Sequence, residues 1–314
     1  MGGDGHIKVF FVPLGCAKNL VDSERMLHTL RSEGMEIVDE AEDADVAVVN
    51  TCGFIQSAQE EAIGILLRLA GLKAQGSLRA IVAAGCLPQR FQSEFFKELP
   101  EVDAAVGTGS VEEIAQAVRA ALSGGRREWF GANETAEQGG QRDLLTPNYS
   151  AYLRIAEGCD NRCAYCVIPS IRGPYRSRPM EELVQETREL ADKGCKELLV
   201  VAQDISRYGT DLYGGRRLHT LLRMLCEIDG IEWIRLHYLY PDELDDELLD
   251  VIEQNPKILH YFDIPIQHIN DRILRDMNRR GDGALIRGLY RKIRGLGGFA
   301  LRTTLIAGFP GETE

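Results

Sequence analysis

The chain has 314 residues, 44% of them hydrophobic and 27% charged, the composition of folded globular protein rather than disordered, collagenous or fibrous sequence; at roughly 150 residues per domain, two domains are expected. The longest apolar run, near Ala80–Leu87, is about eight residues, well below the roughly 18–20 a membrane helix needs. The opening Met1-Gly2-Gly3-Asp4-Gly5-His6 lacks the basic region and apolar core of a signal peptide, so a cytoplasmic protein with no membrane partner is expected. In that reducing setting eight cysteines point to metal or redox chemistry rather than disulfides. The formal charge of −12 divides into −9 over residues 1–149 and −3 over 150–314. This excludes a generally basic nucleic-acid binder, and suits either a basic partner or plain solubility.

The first half alternates apolar strands with amphipathic helices. Strands read at Lys8–Val12, Val46–Asn50, Arg79–Ala84 and Asp103–Val106; helices read over about Leu20–Glu33, stopped by Gly34, then Ala58–Leu72 and Val111–Leu122. Such alternation predicts an open parallel sheet with helical crossovers, flavodoxin-like, over residues 1–123. The Gly-, Gln- and Asn-rich text of 124–148 reads as a linker.

From 149 the rhythm restarts, with strands at Ala151–Ala156, Glu197–Val201, Trp233–Tyr238, Tyr261–Pro265 and Leu301–Ala307. A helix over Met180–Lys193 places Met180, Leu183, Val184, Thr187, Leu190 and Ala191 on one face. Another, around Leu244–Ile252, is entered through Pro241-Asp242. Repeated strand–helix units predict a (β/α) barrel over 149–314. The closing Gly308–Glu314 is a turn that should lead into a further helix, so the sequence reads as cut inside that barrel.

Cys159, Cys163 and Cys166 form a C-x3-C-x2-C loop directly after the first strand of the second half, with the aromatic Tyr165 before the last cysteine. Three thiolates on one tight loop can hold three irons of a cubane and leave the fourth open to a substrate or cofactor; zinc would require a fourth ligand. Cys16, Cys52 and Cys86 share no local motif, but each follows the end of a predicted parallel strand beside a glycine, where open α/β sheets build their sites. They read as a second cluster site, the alternative being that free cysteines are small core residues, as assumed for Cys195 and Cys226.

The Cys159–Cys166 loop on the first barrel strand resembles the radical S-adenosylmethionine superfamily. The two cysteine trios, with Gly15-Cys16-Ala17-Lys18-Asn19-Leu20-Val21-Asp22-Ser23-Glu24 and Asn50-Thr51-Cys52-Gly53-Phe54-Ile55, resemble its methylthiotransferase family. Cys159–Pro174 and Asp263–His268 are most similar to the branch that modifies an aspartate of a small-subunit ribosomal protein; the tRNA-modifying branch, with adenosine as acceptor, is the alternative.

The resemblance implies two [4Fe–4S] clusters, held by Cys159, Cys163 and Cys166 and by Cys16, Cys52 and Cys86. One cleaves S-adenosylmethionine to a 5′-deoxyadenosyl radical; the other carries the sulfur to be methylated and transferred. An external electron donor and a sulfur donor are the implied partners beside the ribosomal protein. The family normally completes the barrel and adds a TRAM domain, neither of which lies in these 314 residues.

Tyr165, Gln203, Asp204, Arg172 and Arg176 are candidates for contact with S-adenosylmethionine. Gln203 and Asp204 follow a strand end, and the arginines, with Arg178, lie beyond the cysteine loop, able to meet a carboxylate. Pro310-Gly311 matches the superfamily's loop near adenine. His237 and His268 receive no catalytic role. Residues Arg272–Arg302, with nine basic and two acidic side chains, form either a partner-facing patch or an ordinary charged helix surface.

Overall fold

The computed structural model describes residues 6–313 and separates them into two units. The expectations resting on Met1–Gly5 and on Glu314 lie outside the described residues. The first unit runs to Leu145 and takes in Ser170–Gly173; the second holds Thr146–Pro169 and everything from Pro174.

The first unit contains β1 (Lys8–Pro13), α1 (Ala17–Ser32), β2 (Glu36–Val38), β3 (Val46–Thr51), α2 (Gln56–Gln75), β4 (Ala80–Gly85), α3 (Cys86–Phe91), α4 (Phe95–Glu98), β5 (Ala104–Val106), α5 (Ile114–Leu122) and β6 (Arg127–Trp129). All six strands are parallel, in the order β2-β1-β3-β4-β5-β6. This is the doubly wound flavodoxin order with one added edge strand. Every residue of β3 and β4 is buried, as parallel strands covered on both faces require. Val46 and Val48 pack with Met26, Leu30 and Val118 on one side, while Ala47 and Val49 meet Leu66, Leu69 and Phe95 on the other. Each large aliphatic side chain so buried contributes about 1.5–3 kcal/mol.

Several elements depart from expectation. α1 starts at Ala17 rather than Leu20, because its first turns bury polar residues, Lys18, Asn19, Asp22 and Ser23, that an apolar period cannot find. β2 is short and incompletely buried, and so left no strand signal. Within the expected linker, β6 joins the sheet edge beside β5. The 131–145 stretch is tied to α1: Glu24 forms a buried ion pair with Arg142 and accepts Leu145 N at 2.9 Å, while Asp143 pairs with His28 and Arg31.

The second unit contains β7 (Ser150–Arg154), β8 (Ala156–Glu157), α6 (Ile168–Arg172, its last residues in the first unit), β9 (Arg176–Ser177), α7 (Met180–Asp192), β10 (Glu197–Val201), α8 (Leu218–Cys226), β11 (Trp233–Leu236), α9 (Asp246–Gln254), β12 (Tyr261–Asp263), α10 (Asp271–Asp276), α11 (Gly283–Leu296) and β13 (Ala300–Arg302). Parallel strands run β7-β10-β11, then β12-β13, with an isolated parallel bridge from Ile234 to Ile258 between the groups. This is an incomplete barrel wall. The single strand expected over Ala151–Ala156 divides after Arg154, and β8 turns aside to pair antiparallel with β9. That ribbon closes the base of the cysteine loop. Side chains of Asp245, Asn270 and Asp282 cap α9, α10 and α11 by accepting backbone N–H groups.

Three turns at the carboxyl ends of β1, β3 and β4 meet closely, and two glycines permit it. Gly85 has φ +91°, and a Cβ there would lie 2.2 Å from Asn50 Oδ1 and 2.8 Å from Thr51 O; Gly15, at φ +97°, would place one 3.1 Å from Cys52 Cβ. Gly85→Ala is expected to lower the stability of this unit by about 2–3 kcal/mol, combining left-handed strain with overpacking against backbone. A thermal melt unchanged from the parent would contradict that packing.

Asp45 joins the sheet edge electrostatically, accepting Lys8 N at 3.0 Å and Arg79 Nη1 at 3.1 Å. The Lys8 amide and then Arg79 hold its carboxyl below the ordinary range, against a push upward from burial. A depressed carboxylate stabilises the fold above its unfolded pKa, and the gain is lost as pH falls through the folded value. Asp45→Asn should therefore cost up to about 1 kcal/mol at neutral pH. The gap from the parent should narrow in urea titrations as pH falls below the ordinary aspartate range.

Candidate functional site

At the carboxyl edge of the first sheet, Cys16 is the N-cap of α1, Cys52 follows β3, and Cys86 opens α3 directly after β4. β1, β3 and β4 are adjacent, and β1/β3 is where the winding of the sheet reverses, the usual ligand crevice of this architecture. The structure thus brings these three predicted residues onto one edge. The glycines beside them, Gly15, Gly53 and Gly85, let the turns approach one another closely.

Asn19 joins the turns. Its Nδ2 donates to Thr51 O at 2.8 Å and Leu14 O at 3.3 Å, and its Oδ1 accepts from Cys86 Sγ at 3.3 Å and from Arg172 Nη2. Asn50 Nδ2 donates to Asn19 O and Ser23 Oγ, both at 2.8 Å, and Thr51 Oγ1 donates to Ala84 O at 2.7 Å. Asn19 and Asn50 were missed as site residues in the sequence. The available signal was the polar 19, 22, 23 set, spaced like a buried helix face.

Electrostatics separate the cysteines. Burial pushes the Cys16 thiol up, but Lys18, Arg172 and the backbone amides of Asn19 and Lys18 together bring it below its ordinary value, as expected at a helix start near cations. Cys86 is fully enclosed, and burial pushes it up to about 11, further raised by Cys16 and Cys52 and only partly offset by Arg172. Arg172, expected to face S-adenosylmethionine, is instead engaged here, with Nη1 donating to Asp22 at 2.7 Å and Nη2 reaching Cys86 Sγ at 3.3 Å.

In the second unit Cys159, Cys163 and Cys166 share the loop between β8 and α6. Cys166 N donates to Cys163 O at 3.0 Å, and the loop is held from outside by Ala164 N to Met277 O at 2.9 Å and Asn278 Nδ2 to Arg162 O at 2.7 Å. Cys163 is buried, its Sγ 3.5 Å from Tyr240 Oη. Arg279 caps this corner. Its guanidinium carbon stands 3.9 Å from the Tyr240 ring centroid, Nη2 donates to Pro265 O at 2.6 Å, and Nη1 lies 3.4 Å from Tyr165 Oη and 4.0 Å from Cys163 Sγ. Burial pushes Cys159 up to about 11 and raises Cys166. Tyr240 and Arg279 come from distant parts of the chain, and only the basic run 272–302 hinted at the latter. Much of that run is paired, Arg280 with Asp242 and Glu243, Lys292 with Asp246, and Arg302 with Asp263.

Gln203 donates through Nε2 to Glu157, while its buried Oε1 has no hydrogen-bond partner among the described residues. Asp204 is buried and caps the following turn, accepting Ser206 N at 3.1 Å and Asn161 Nδ2 at 3.3 Å. Burial raises its carboxyl to about 6, against the Ser206 bond. Arg176 sits in β9 opposite Glu157. His237 contacts Asp263 at 3.4 Å and His268 contacts Glu312 at 3.2 Å. Among the described residues, no group of three or more His, Cys, Asp and Glu is arranged to hold a metal ion as it stands.

Comparison with known proteins adds the lineage. Residues 8–107 match an uncharacterised protein family, UPF0004, and residues 153–314 match the Radical SAM superfamily. Proteins named ribosomal protein uS12 methylthiotransferase RimO are similar over 98% of the chain: 49% identical in Lachnoclostridium phytofermentans, 51% in Pelotomaculum thermopropionicum and 48% in Geotalea uraniireducens. The chain spans 70%, 70% and 69% of their lengths. Among solved structures, the radical S-adenosylmethionine methyltransferase TsrM from Kitasatospora setae matches with a TM-score of 0.71 at 15% identity, over 98% of this chain and 69% of that one. The cobalamin-dependent enzyme OxsB matches with a TM-score of 0.64 at 14% identity, over 96% and 49%. These two likenesses establish the fold, a parallel-sheet domain followed by a radical-SAM-like barrel wall. With near-half identity to its relatives and the superfamily match over its second half, the chain belongs to the RimO family of radical SAM methylthiotransferases.

Proposed function

We propose that the chain is a radical S-adenosylmethionine enzyme that places a methylthio group on a small-subunit ribosomal protein, uS12 as in the names of its relatives, at the β-carbon of an aspartate. One observation carries this: 49% identity over 98% of the chain to a protein of that name. An adenosine of tRNA is not favoured as acceptor, since these relatives are named for a ribosomal protein. The cytoplasm is the proposed location, supported by eight cysteines that are all free among the described residues and no described helix long and apolar enough to cross a membrane.

In this reading Cys159, Cys163 and Cys166 hold one [4Fe–4S] cluster and Cys16, Cys52 and Cys86 hold a second. Soft thiolates are the donors such clusters take, and in each trio one thiol feels the charge of the other two. When bound, the cluster at Cys159, Cys163 and Cys166 would supply the electron for cleaving S-adenosylmethionine, and that at Cys16, Cys52 and Cys86 would supply a holding place for the sulfur to be transferred. The β C–H bonds of an aspartate lie beside an ionised carboxylate and are too weakly acidic for a side-chain base to remove, so replacing C–H by C–S requires a radical. Two S-adenosylmethionine molecules are then consumed per product, one as methyl source and one as radical source, with an external electron donor and a sulfur donor as partners.

The protein's part is to bind, orient and exclude water. Gln203 Oε1 is the acceptor left open for the ammonium group of S-adenosylmethionine, oriented by the Nε2 bond to Glu157. Asp204, occupied by Ser206 and Asn161, shapes the strand end and tethers the cysteine loop rather than meeting the ligand itself. Arg279, stacked on Tyr240 and directed at Tyr165 and Cys163, closes one flank of the loop with a cation. Arg176 lies where the β8–β9 ribbon leaves the loop, and so can face a carboxylate of cofactor or substrate.

With reductant, S-adenosylmethionine and uS12, Cys163→Ala is expected to abolish 5′-deoxyadenosine formation. The combined Cys16→Ala, Cys52→Ala and Cys86→Ala variant should still form it, yet give no methylthiolated protein by mass spectrometry. Unchanged cleavage in Cys163→Ala would sink the radical assignment. Product from the N-terminal variant would remove the second site from the reaction.

A further inference from the structure

Arg172 is 2% exposed, an expensive place for a guanidinium unless every arm is used. Its Nη1 donates to Asp22 Oδ2 at 2.7 Å, and that carboxylate is equally enclosed. A paired carboxylate would suffice for a structural arginine, yet Nη2 turns the other way, to Asn19 Oδ1 and to Cys86 Sγ at 3.3 Å. The backbone that delivers the side chain is pinned from two sides. Thr108 Oγ1 and Asn133 Nδ2 both donate to Ile171 O, at 2.7 and 2.9 Å. At Gly173 a Cβ would meet Asn133 Cβ at 2.8 Å. The guanidinium is therefore aimed, and its reach to sulfur is not the chance pose of a flexible side chain.

We propose that Arg172 is a positioning residue of the N-terminal cysteine site, which orients Cys86 and raises the reduction potential of the cluster that Cys86 ligates. The proposal rests on the reading of Cys16, Cys52 and Cys86 as cluster ligands. A cluster held by three thiolates is anionic and becomes more so on gaining an electron. An N–H bond from a cation to a ligand sulfur favours the more reduced state, and hydrogen bonds to sulfur are among the determinants of cluster potential. Asp22, paired through Nη1, offsets part of this, while Nη2 is the nitrogen that reaches the sulfur.

The test uses the full chain with Cys159, Cys163 and Cys166 changed to alanine, so that iron and sulfide added anaerobically can build a cluster only at the N-terminal site. Arg172→Met combined with Asp22→Asn removes the buried charges as a pair and leaves no lone carboxylate to unfold the unit. Arg172→Lys keeps the charge without the planar fork. The readouts are iron per chain and the reduction midpoint followed by electron paramagnetic resonance. The double variant should keep its iron and show at least a tenfold shift of the reduction equilibrium toward the oxidised form, 59 mV for one electron, with Arg172→Lys intermediate. Retained iron with an unmoved midpoint in both variants would overturn the proposal and leave the cluster reading standing. A parent that takes up no iron would overturn both.

Discussion

Asn19 occupies the point where three strand-end turns must converge, and the N-terminal site depends on its amide facing both ways at once. One end donates to the carbonyls of Leu14 and Thr51, which belong to the turns bearing Cys16 and Cys52; the other accepts from Cys86 and Arg172. A buried polar network of this kind is stabilising only when its members are satisfied. Here Asn50 Nδ2 donates to Asn19 O and Ser23 Oγ and Asn19 Nδ2 donates to Thr51 O, which offsets most of the cost of burying the polar first turns of α1, while Asn50 Oδ1 is left without a hydrogen-bond partner among the described residues. The doubly wound sheet supplies the frame, since parallel strands present their carboxyl ends at one edge and force the three cysteines into the same neighbourhood.

The two cysteine sites solve the problem of concentrated sulfur differently. In the first, a buried arginine reaches a cysteine sulfur, and, against burial, Lys18, Arg172 and the amides at the helix start together lower the thiol of Cys16. In the second, burial dominates and raises Cys159 and Cys166, while the Arg279 guanidinium carbon stands 3.9 Å from the Tyr240 ring centroid with Nη1 4.0 Å from Cys163 Sγ. The first trio is assembled from three separate turns and depends on tertiary packing; the second is carried by one loop whose ends are stapled by the β8–β9 ribbon. Loss of packing in the sheet domain should therefore disturb the first trio before the second.

Much of the frame was legible in the amino-acid order because strands buried on both faces read as apolar runs, as in Val46–Val49 and Ala80–Ala84. What escaped had physical reasons. The start of α1 was displaced because its buried face is polar, β2 because three partly exposed residues carry no period, and β6 because it is an edge strand in a stretch of turn-formers. The cysteines announce themselves by spacing or by strand ends. Arg172 looked like a companion of the Cys159–Cys166 loop because it follows that loop in sequence, yet its partners are Asp22, Asn19 and Cys86. Tyr240 and Arg279 reach Cys163 from roughly a hundred residues away, a contact only tertiary structure creates.

The central claim is that Cys16, Cys52 and Cys86 are cluster ligands rather than core residues, so that this fold carries two iron–sulfur centres. Its most direct measurement is iron and sulfide per chain after anaerobic reconstitution, made on the parent and on the Cys16→Ala, Cys52→Ala, Cys86→Ala variant. About eight irons in the parent and about four in the variant are expected for two cubanes of which one is lost. About four in both would mean that the sheet domain's cysteines bind no cluster, and the chemistry would have to proceed from the Cys159–Cys166 site alone.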